Sequence, residues 1–216
     1  MNIMIDLFAG LGGASQAFYD DPNWFVIRID NNELLLEHTN GLIISDVTNV
    51  DRTMSIIERL ILNVHEDYSR PNRTIDKVVV WASPPCNQYS FANGVNLNPH
   101  EYDNTCVEAA LEIIDRLNPN AWIIENVKGA IETFDEIIGM KWTQSVGSIF
   151  LWGQFPILAF EHAKDRWHKK DLNHGSRALR PNVRALIPYA ISKAYKDAVM
   201  CQTTLTSFCE DAEQDA

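Results

Sequence analysis

Apolar residues in the first two-thirds of the chain form short runs that alternate with longer amphipathic stretches. The short runs are rich in β-branched and aromatic residues, and they predict strands at residues 3–8, 24–29, 42–44, 78–82 and 122–124. The stretches between them have a helical period and predict helices at residues 13–19, 32–39, 53–64 and 105–117. Strands that alternate with helices are typical of an α/β domain with a largely parallel sheet and helices on both faces.

The pattern changes after Gly139, where aromatic and turn-rich sequence leads to a basic stretch and then to an amphipathic helix predicted at residues 188–200. In the basic stretch, only Asp165 and Asp171 oppose the positive charges of Lys164, Arg166, Lys169, Lys170, Arg177, Arg180 and Arg184. Such a stretch is either a patch that faces phosphate or a solvated loop, and charge alone does not separate the two.

Composition narrows the class of protein. At 216 residues and 46% hydrophobic composition, the chain is large enough to bury one core without disulfides or metal ions. The formal net charge of -11 argues against a protein whose whole surface binds nucleic acid, since phosphate contacts come mainly from lysine and arginine.

The cysteines indicate neither a disulfide framework nor a metal site. Cys86, Cys106, Cys201 and Cys209 form no CxxC pair and have no companion histidines at zinc spacing. The first residues lack a basic targeting region, and no apolar stretch approaches the length of a membrane span. We therefore expect a cytoplasmic protein, in a bacterial or virus-infected cell.

A strand that runs into a glycine turn opens the chain. Gly10, Gly12 and Gly13 follow the first predicted strand, and glycines in such a turn let the backbone approach a ligand closely or simply make a tight connection. Asp30 ends the second predicted strand, where a carboxylate can accept hydrogen bonds from ribose hydroxyls. These residues imply a nucleoside-containing cofactor, either a nicotinamide dinucleotide or S-adenosylmethionine. Ser15 breaks the GxGxxG fingerprint, which disfavours the dinucleotide.

Two further motifs follow predicted strands. Pro84-Pro85-Cys86 would present a thiol from a rigid turn, as a nucleophile requires, whereas the other three cysteines are interpreted as small buried residues. Glu125-Asn126-Val127 follows an apolar strand, and its carboxylate is either functional or braces a loop.

Taken in order, these segments resemble the cytosine-C5 DNA methyltransferase family, in a short form with a reduced target-recognition region. The resemblance implies a Rossmann-like methyltransferase fold, S-adenosyl-L-methionine as cofactor, and DNA as partner, either duplex with a flipped cytosine or single-stranded. It implies that Cys86 is the nucleophile and that Glu125 binds the base. The cofactor-binding residues that it implies are Phe8, Gly10, Gly12, Gly13, Asp30, Asp46, Val47 and Pro84.

The chain departs from the family pattern after residue 130. The family usually has a Gln-x-Arg-x-Arg strand, and the nearest match, Gln144-Ser145-Val146-Gly147-Ser148, lacks both arginines. We expect one of Arg166, Arg177, Arg180 or Arg184 to take over their role. Ile187-Pro188-Tyr189 loosely resembles the final motif of the family.

The resemblance also predicts a division of the chain. Residues 1–150 would form the cofactor-binding and catalytic core, 151–186 a short basic recognition segment, 187–209 a helix that completes the core, and 210–216 a disordered acidic tail. Because the recognition segment is short, we expect sequence specificity to be short or relaxed, or supplied by a partner.

Two other functions remain open on the sequence. Similar motifs occur in enzymes that methylate RNA at cytosine C5, and a degenerate, non-catalytic module that binds S-adenosylmethionine for regulation would account for the missing arginines. A nicotinamide-dependent oxidoreductase is disfavoured, because it leaves Pro84-Pro85-Cys86 unexplained.

Overall fold

A seven-stranded sheet lies at the centre of the computed structural model, which describes residues 1–65, 74–90, 102–159 and 177–202. Its strands are β1 (Asn2–Leu7), β2 (Trp24–Asp30), β3 (Leu42–Ile44), β4 (Lys77–Ala82), β5 (Ala121–Val127), β6 (Gln144–Val146) and β7 (Ile149–Trp152). The strand order is β3-β2-β1-β4-β5-β7-β6. Strands β1 to β5 are parallel, and β7 runs antiparallel to both β5 and β6.

The order of the strands reverses between β1 and β4. From β1 the chain first builds outward through β2 and β3, and it then returns to the other side of β1 with β4 and β5. In open α/β sheets, ligands bind beyond the carboxyl ends of the strands at such a switch point. The residues that follow β1 and β4 are therefore the first place to look for a site.

Helices cover both faces of the sheet. They are α1 (Gln16–Tyr19), α2 (Val50–His65), α3 (Thr105–Leu117), α4 (Ile131–Ile138), α5 (Arg180–Ala185) and α6 (Tyr189–Cys201). On one face, Ile3, Ile5 and Leu7 of β1 pack in a core cluster with buried residues of α2, α3 and α4. On the other, Met4 packs in a second cluster with buried residues of α1 and α6. This alternation along one strand confirms the predicted α/β fold, a Rossmann-like methyltransferase fold with a largely parallel sheet.

The strand predictions are confirmed to within three residues at either end. The helix predicted at residues 105–117 has the bounds observed for α3, and the helices predicted at 53–64 and 188–200 correspond to α2 and α6. Two predicted helices are wrong in extent. Helix α1 contains only residues 16–19, because the turn that begins at Phe8 continues through Ser15. Residues 32–39 contain only a 3₁₀ turn at Glu33–Leu35, because Leu34 and Leu36 are exposed and the apolar residues form no continuous helical stripe.

Four elements had no predicted counterpart, namely α4, α5, β6 and β7. Strands β6 and β7 form a hairpin around Gly147, and β7 ends at Trp152, two residues beyond the predicted core boundary at 150. The division into core, recognition segment and terminal helix otherwise stays a prediction, and the predicted tail at 210–216 lies outside the described residues. Within the part of the chain that is described, no helix is long and apolar enough to cross a membrane.

Candidate active site

The predicted site residues come together at one edge of the sheet. Phe8 directly follows β1, and Asp30 is the last residue of β2. Asp46 lies two residues after the end of β3, and Glu125 lies two residues before the end of β5. The turn with Cys86 follows β4. Because these five strands are parallel, their carboxyl ends open on the same side of the molecule.

The turn after β1 has an unusual backbone. Phe8, Gly10 and Gly12 have φ angles of 57°, 54° and 74°, and the Gly12 amide donates a hydrogen bond of 2.7 Å to the carbonyl of Ala9. A non-glycine residue in the left-handed region costs on the order of 1–2 kcal/mol. Such strained positions cluster at ligand sites, where the surrounding structure holds them. The backbone of Phe8 thus supports its assignment to a binding site.

The three glycines of the turn differ in what a side chain would meet. A Cβ atom at Gly10 would meet only Asn182 Nδ2, at 4.0 Å. A Cβ atom at Gly12 would lie 2.9 Å from the Arg28 guanidinium, and one at Gly13 would lie 2.4 Å from the carbonyl oxygen of Ile187. Packing against the protein's own atoms therefore explains Gly12 and Gly13, while Gly10 borders open space.

The Asp30 carboxylate braces the turn and keeps free capacity for a ligand. Its Oδ2 accepts a 2.9 Å hydrogen bond from the Gly10 amide, and its Oδ1 accepts one of 2.9 Å from the Asn32 amide. A carboxylate has about four lone-pair sites, so these two bonds from the described residues leave acceptor capacity for ribose hydroxyls. Asp30 is half-buried, so part of its surface is open to a ligand.

The segment after β3 combines exposed and buried groups. Asp46 is exposed and accepts hydrogen bonds from the amide and hydroxyl of Thr48, while Val47 is buried. The buried hydroxyl of Ser45 has no hydrogen-bond partner among the described residues. Because this oxygen is inaccessible from outside the protein, it offers no contact to a ligand. The exposed Asp46 carboxylate and the Asp30 carboxylate of the neighbouring strand are the acceptors that fit a nucleoside cofactor here.

The diproline turn extends the pairing of the sheet. The Ser83 amide donates to the carbonyl of Leu7, 3.1 Å away, and the Tyr89 amide donates to the carbonyl of Cys86, also 3.1 Å away. Pro84 is buried and Cys86 half-buried. A pocket of about 190 Å³ adjoins the turn, lined by Pro84, Pro85, Asn87, Gln88, Tyr89 and Cys106 among others.

Contacts of Tyr89 and Gln88 fix the diproline turn against neighbouring residues. The Tyr89 hydroxyl donates a 2.8 Å hydrogen bond to Asn104 Oδ1, and its ring makes edge-to-face contacts with Tyr102 and Phe134. Burial raises the pKa of Tyr89 to about 12, so the hydroxyl stays protonated and remains a donor. The backbone of Asp103 pairs with the Gln88 amide through two hydrogen bonds of 2.6 and 2.9 Å. The turn is thus held to the start of α3.

Asn126 joins the diproline turn to β5. Its Nδ2 donates a 3.0 Å hydrogen bond to the carbonyl of Pro84, and its Oδ1 accepts one of 2.9 Å from the Val127 amide. Ala82 lies level with Ile124 in the parallel pair of β4 and β5, so Ser83, the first residue after β4, follows the sheet at the level of Glu125 in β5. Glu125 is half-buried and lies opposite Leu151 of β7. Sequence reasoning had assigned no role to Asn126.

Only part of the predicted basic segment lies in the described residues. Arg180 and Arg184 are exposed on α5, the helix that also brings Asn182 near Gly10. Lys164, Arg166, Lys169 and Lys170 lie outside the described residues, as does the side chain of Arg177. Gln144, the one residue left of the Gln-x-Arg-x-Arg pattern, pairs its amide with the backbone of Leu158 through hydrogen bonds of 2.9 and 2.8 Å. Its side chain therefore holds the first part of the predicted recognition segment, shortly before the basic residues that begin at Lys164.

Beneath the glycine turn lies a buried polar network. The Ser15 hydroxyl donates a 2.6 Å hydrogen bond to Asp6 Oδ2 and accepts one of 2.8 Å from Arg28 Nε. Burial raises the pKa of Asp6 from 3.8 to about 7, against the lowering effects of the Ser15 hydrogen bond and the Arg28 charge. Arginine keeps its charge in proteins, so Arg28 is the permanent ion of the pair.

The raised pKa of Asp6 predicts a pH dependence of stability. The folded state retains a proton that the unfolded chain releases, so this group stabilises the fold at low pH, and the contribution is lost as the pH rises through about 7. Asp6→Asn removes the titration. We expect the unfolding free energy of the variant, relative to the native protein, to increase from about pH 5 to about pH 8 in urea titrations. Glu58→Gln, on the exposed side of α2, should show no such trend, and a flat difference for Asp6→Asn would contradict the prediction.

Comparison with known proteins decides the family. The family model described as C-5 cytosine-specific DNA methylase matches residues 3–146, more than half of the chain. The chain belongs to the C-5 cytosine-specific DNA methylase family. The matched span runs from β1 to β6 and contains every predicted catalytic and cofactor-binding residue. A comparison with curated protein sequences finds no match.

Solved structures give further similarities. A protein described as a DNA modification methyltransferase encoded within a prophage (E. coli) is 19% identical, with a TM-score of 0.42 over 64% of this chain and 36% of that chain. The Entamoeba histolytica methyltransferase EhMeth is 17% identical, with a TM-score of 0.42 over 74% of this chain and 55% of that chain. A mutant of Spodoptera frugiperda DNMT2 is 19% identical, with a TM-score of 0.36 over 63% of this chain and 41% of that chain. The chain thus spans between about a third and just over half of the length of these proteins.

The contribution of the two Asn126 hydrogen bonds to stability can be measured. Asn126→Ala leaves the buried carbonyl of Pro84 and the amide of Val127 without this partner, and we expect a loss of about 1–2 kcal/mol in the unfolding free energy. The reaction of Cys86 with iodoacetamide should also change in rate, because the turn that presents the thiol loses its link to β5. The control is Asn63→Ala on the exposed face of α2, and equal stability of the two variants would show that the link has no structural weight.

Proposed function

We propose that the methylase transfers a methyl group from S-adenosyl-L-methionine to C5 of cytosine in DNA, through a covalent adduct with Cys86. The observation that supports this most directly is the hydrogen bond from Asn126 Nδ2 to the carbonyl of Pro84, which ties the turn bearing Cys86 to the strand bearing Glu125. A nucleophile and an acid on neighbouring strands can act on opposite sides of one pyrimidine ring.

C5 of cytosine is too weak a nucleophile to accept a methyl group unaided, and the proposed chemistry makes it more nucleophilic. The Cys86 thiolate adds to C6, and the electron pair of the C5–C6 double bond moves into the ring. Glu125, in its protonated form, hydrogen-bonds N3 and stabilises the developing negative charge. C5 is then nucleophilic enough to be methylated. Transfer of the C5 proton to a water molecule afterwards restores the double bond and expels Cys86 as a thiolate.

The same edge of the sheet would hold the cofactor. Phe8, Gly10, Gly12 and Gly13 would lie along it, Asp30 would accept hydrogen bonds from the ribose, and Asp46, Val47 and Pro84 would border the adenine. Bound S-adenosylmethionine supplies an electrophilic methyl group. The chain's contribution is to orient the cofactor by the strained turn at Phe8 and by the remaining acceptor sites of Asp30.

Access to the base requires that it leave the helical stack. C5 and C6 are covered by neighbouring bases in a duplex, so the target cytosine is either flipped out or already single-stranded. The exposed Arg180 and Arg184 supply positive charge on a chain of net charge -11, and residues 151–186 would form the recognition segment.

Methyl transfer with a labelled cofactor tests the proposal. The purified protein is incubated with radiolabelled S-adenosylmethionine and, in separate reactions, duplex DNA, single-stranded DNA and transfer RNA, followed by base analysis. Label in 5-methylcytosine from DNA supports the proposal. Label only in RNA would move the substrate to RNA, and cofactor binding without transfer to any of the three would indicate a non-catalytic module.

A further inference from the structure

Arg28 is an unusual residue for the middle of a central strand. It lies on β2 directly opposite Asp6 of β1, and both side chains are only 1% exposed. Its strand neighbours Ile27 and Ile29 are core residues. A buried arginine is strongly unfavourable unless its charge and its donors are matched, so the surroundings of Arg28 must be specialised for it.

The guanidinium uses its donors on the loops at the site. Nε donates to Ser15 Oγ, as described above, and Nη1 donates a 3.0 Å hydrogen bond to the carbonyl of Asn40. Nη2 donates to the carbonyl of Gly12 at 3.3 Å and to Gln16 Oε1 at 3.0 Å. The Cζ atom of Arg28 lies over the ring of Tyr19, 4.5 Å from the ring centre. A planar group with donors in several directions is required for this set of contacts.

These contacts join two separate segments of the cofactor site. One is the glycine turn that leads into α1, and the other is the chain around Asn40, between the 3₁₀ turn and β3. A second bond links the same two segments, from Thr39 Oγ1 to the carbonyl of Gly10 at 2.9 Å. Asp30, two residues after Arg28 and on the same side of β2, holds the Gly10 amide. Strand β2 therefore holds the glycine turn through two side chains. The Arg28 guanidinium contacts the carbonyl of Gly12, and the Asp30 carboxylate accepts from the amide of Gly10.

We propose that Arg28 is a positioning residue that keeps the glycine turn and the Asn40 segment in a fixed arrangement, so that the Gly10 amide and Asp30 are preorganised for the cofactor. The proposal rests on the proposed function in one respect, the identity of the ligand as S-adenosylmethionine. Lysine retains the charge at this position but cannot donate to Ser15, Gly12, Gln16 and Asn40 together. Arg28→Lys therefore separates positioning from charge.

The test compares Arg28→Lys with Arg59→Lys, which changes an exposed arginine of α2 in the same way. Amide hydrogen exchange is followed at Gly10, Gly12 and Thr39, and at Tyr89 as a reporter on the diproline turn. Affinity for S-adenosylhomocysteine is measured by calorimetry. We expect Arg28→Lys to speed exchange at the first three amides together and to weaken the affinity about tenfold or more, with Tyr89 unchanged. In turnover, KM for the cofactor should rise more than kcat falls.

Gln16→Ala provides a second variant in case Arg28→Lys does not fold. It removes one acceptor of Arg28 from a half-buried helix position, and we expect smaller changes in the same directions. The proposal is overturned if Arg28→Lys matches Arg59→Lys in exchange and affinity, or if exchange rises equally at Tyr89. If the native protein does not bind S-adenosylhomocysteine, the proposed function fails, whereas joint loosening of the two segments in Arg28→Lys still supports the role of Arg28.

Discussion

Methyl transfer by Cys86→Ser is expected to fall by more than roughly a thousandfold, since a serine hydroxyl is almost never ionised near neutral pH and adds poorly to C6. Affinity for S-adenosylhomocysteine should stay nearly unchanged, because the change replaces one half-buried atom beside the cofactor residues. Transfer of label to DNA and calorimetric titration measure the two quantities separately.

The matched control is Cys201→Ser, at the end of α6 on the opposite face of the sheet from α3. The interpretation of Cys201 as a small buried residue was wrong, because the last residue of α6 is exposed. It should keep the native rate. DNA with 5-fluorocytosine adds a direct view of the nucleophile, since fluorine at C5 cannot leave as a proton and the S–C6 bond to Cys86 persists. Substantial turnover by Cys86→Ser, or a stable adduct with this DNA in that variant, would remove Cys86 from its proposed role.

Gly13→Ala is expected to reduce the unfolding free energy by about 3 kcal/mol, the upper end of the usual cost of overpacking. The added methyl group would lie 2.4 Å from the carbonyl oxygen of Ile187 and 2.7 Å from Leu186 Cδ1. Backbone cannot rotate away as a side chain can, so the segment that leads into α6 has to shift. Because Ile191 and Tyr195 of α6 are core residues, the shift disturbs packing on that face of the sheet. Urea denaturation measures the loss.

Gly139→Ala is the control for Gly13→Ala, because it measures the cost of a left-handed backbone without a steric clash. Gly139 has a φ of 73° after α4, and a Cβ atom there would meet nothing within 4 Å. Its substitution should cost only about 1 kcal/mol, from the left-handed backbone alone. If Gly13→Ala proves no more destabilising than Gly139→Ala, the close packing of the turn against Ile187 is not a constraint on the fold.

The elements that sequence predicted well are those whose signal is local and repeated. Strands β1 and β4 carry nearly continuous apolar runs, as strands buried on both faces do, and α3 has enough turns for its apolar period to be clear. Strand β6 has three residues, two of them polar, so it lacks the apolar run by which the equally short β3 was predicted. Strand β7 is a four-residue apolar run within aromatic and turn-rich sequence, too short to show a period of its own. They were missed because their pairing with each other and with β5 is what makes them strands.

The sequence by itself determined the five parallel strands of the sheet, the order of the strand-end motifs and, through the resemblance to the family, the residues on which catalysis is proposed to depend. This was possible because each motif directly follows a strand, and parallel strands place their ends together whatever the details of packing. Only the tertiary structure shows why Arg28, Gly13 and Asn126 are needed at their positions. Arg28 interrupts an apolar run in sequence, but its partners come from Gly12, Ser15, Gln16 and Asn40, which only folding brings around it. Gly13 faces Ile187 and Asn126 reaches Pro84 for the same reason: these contacts join residues distant in the chain, and no local pattern encodes them.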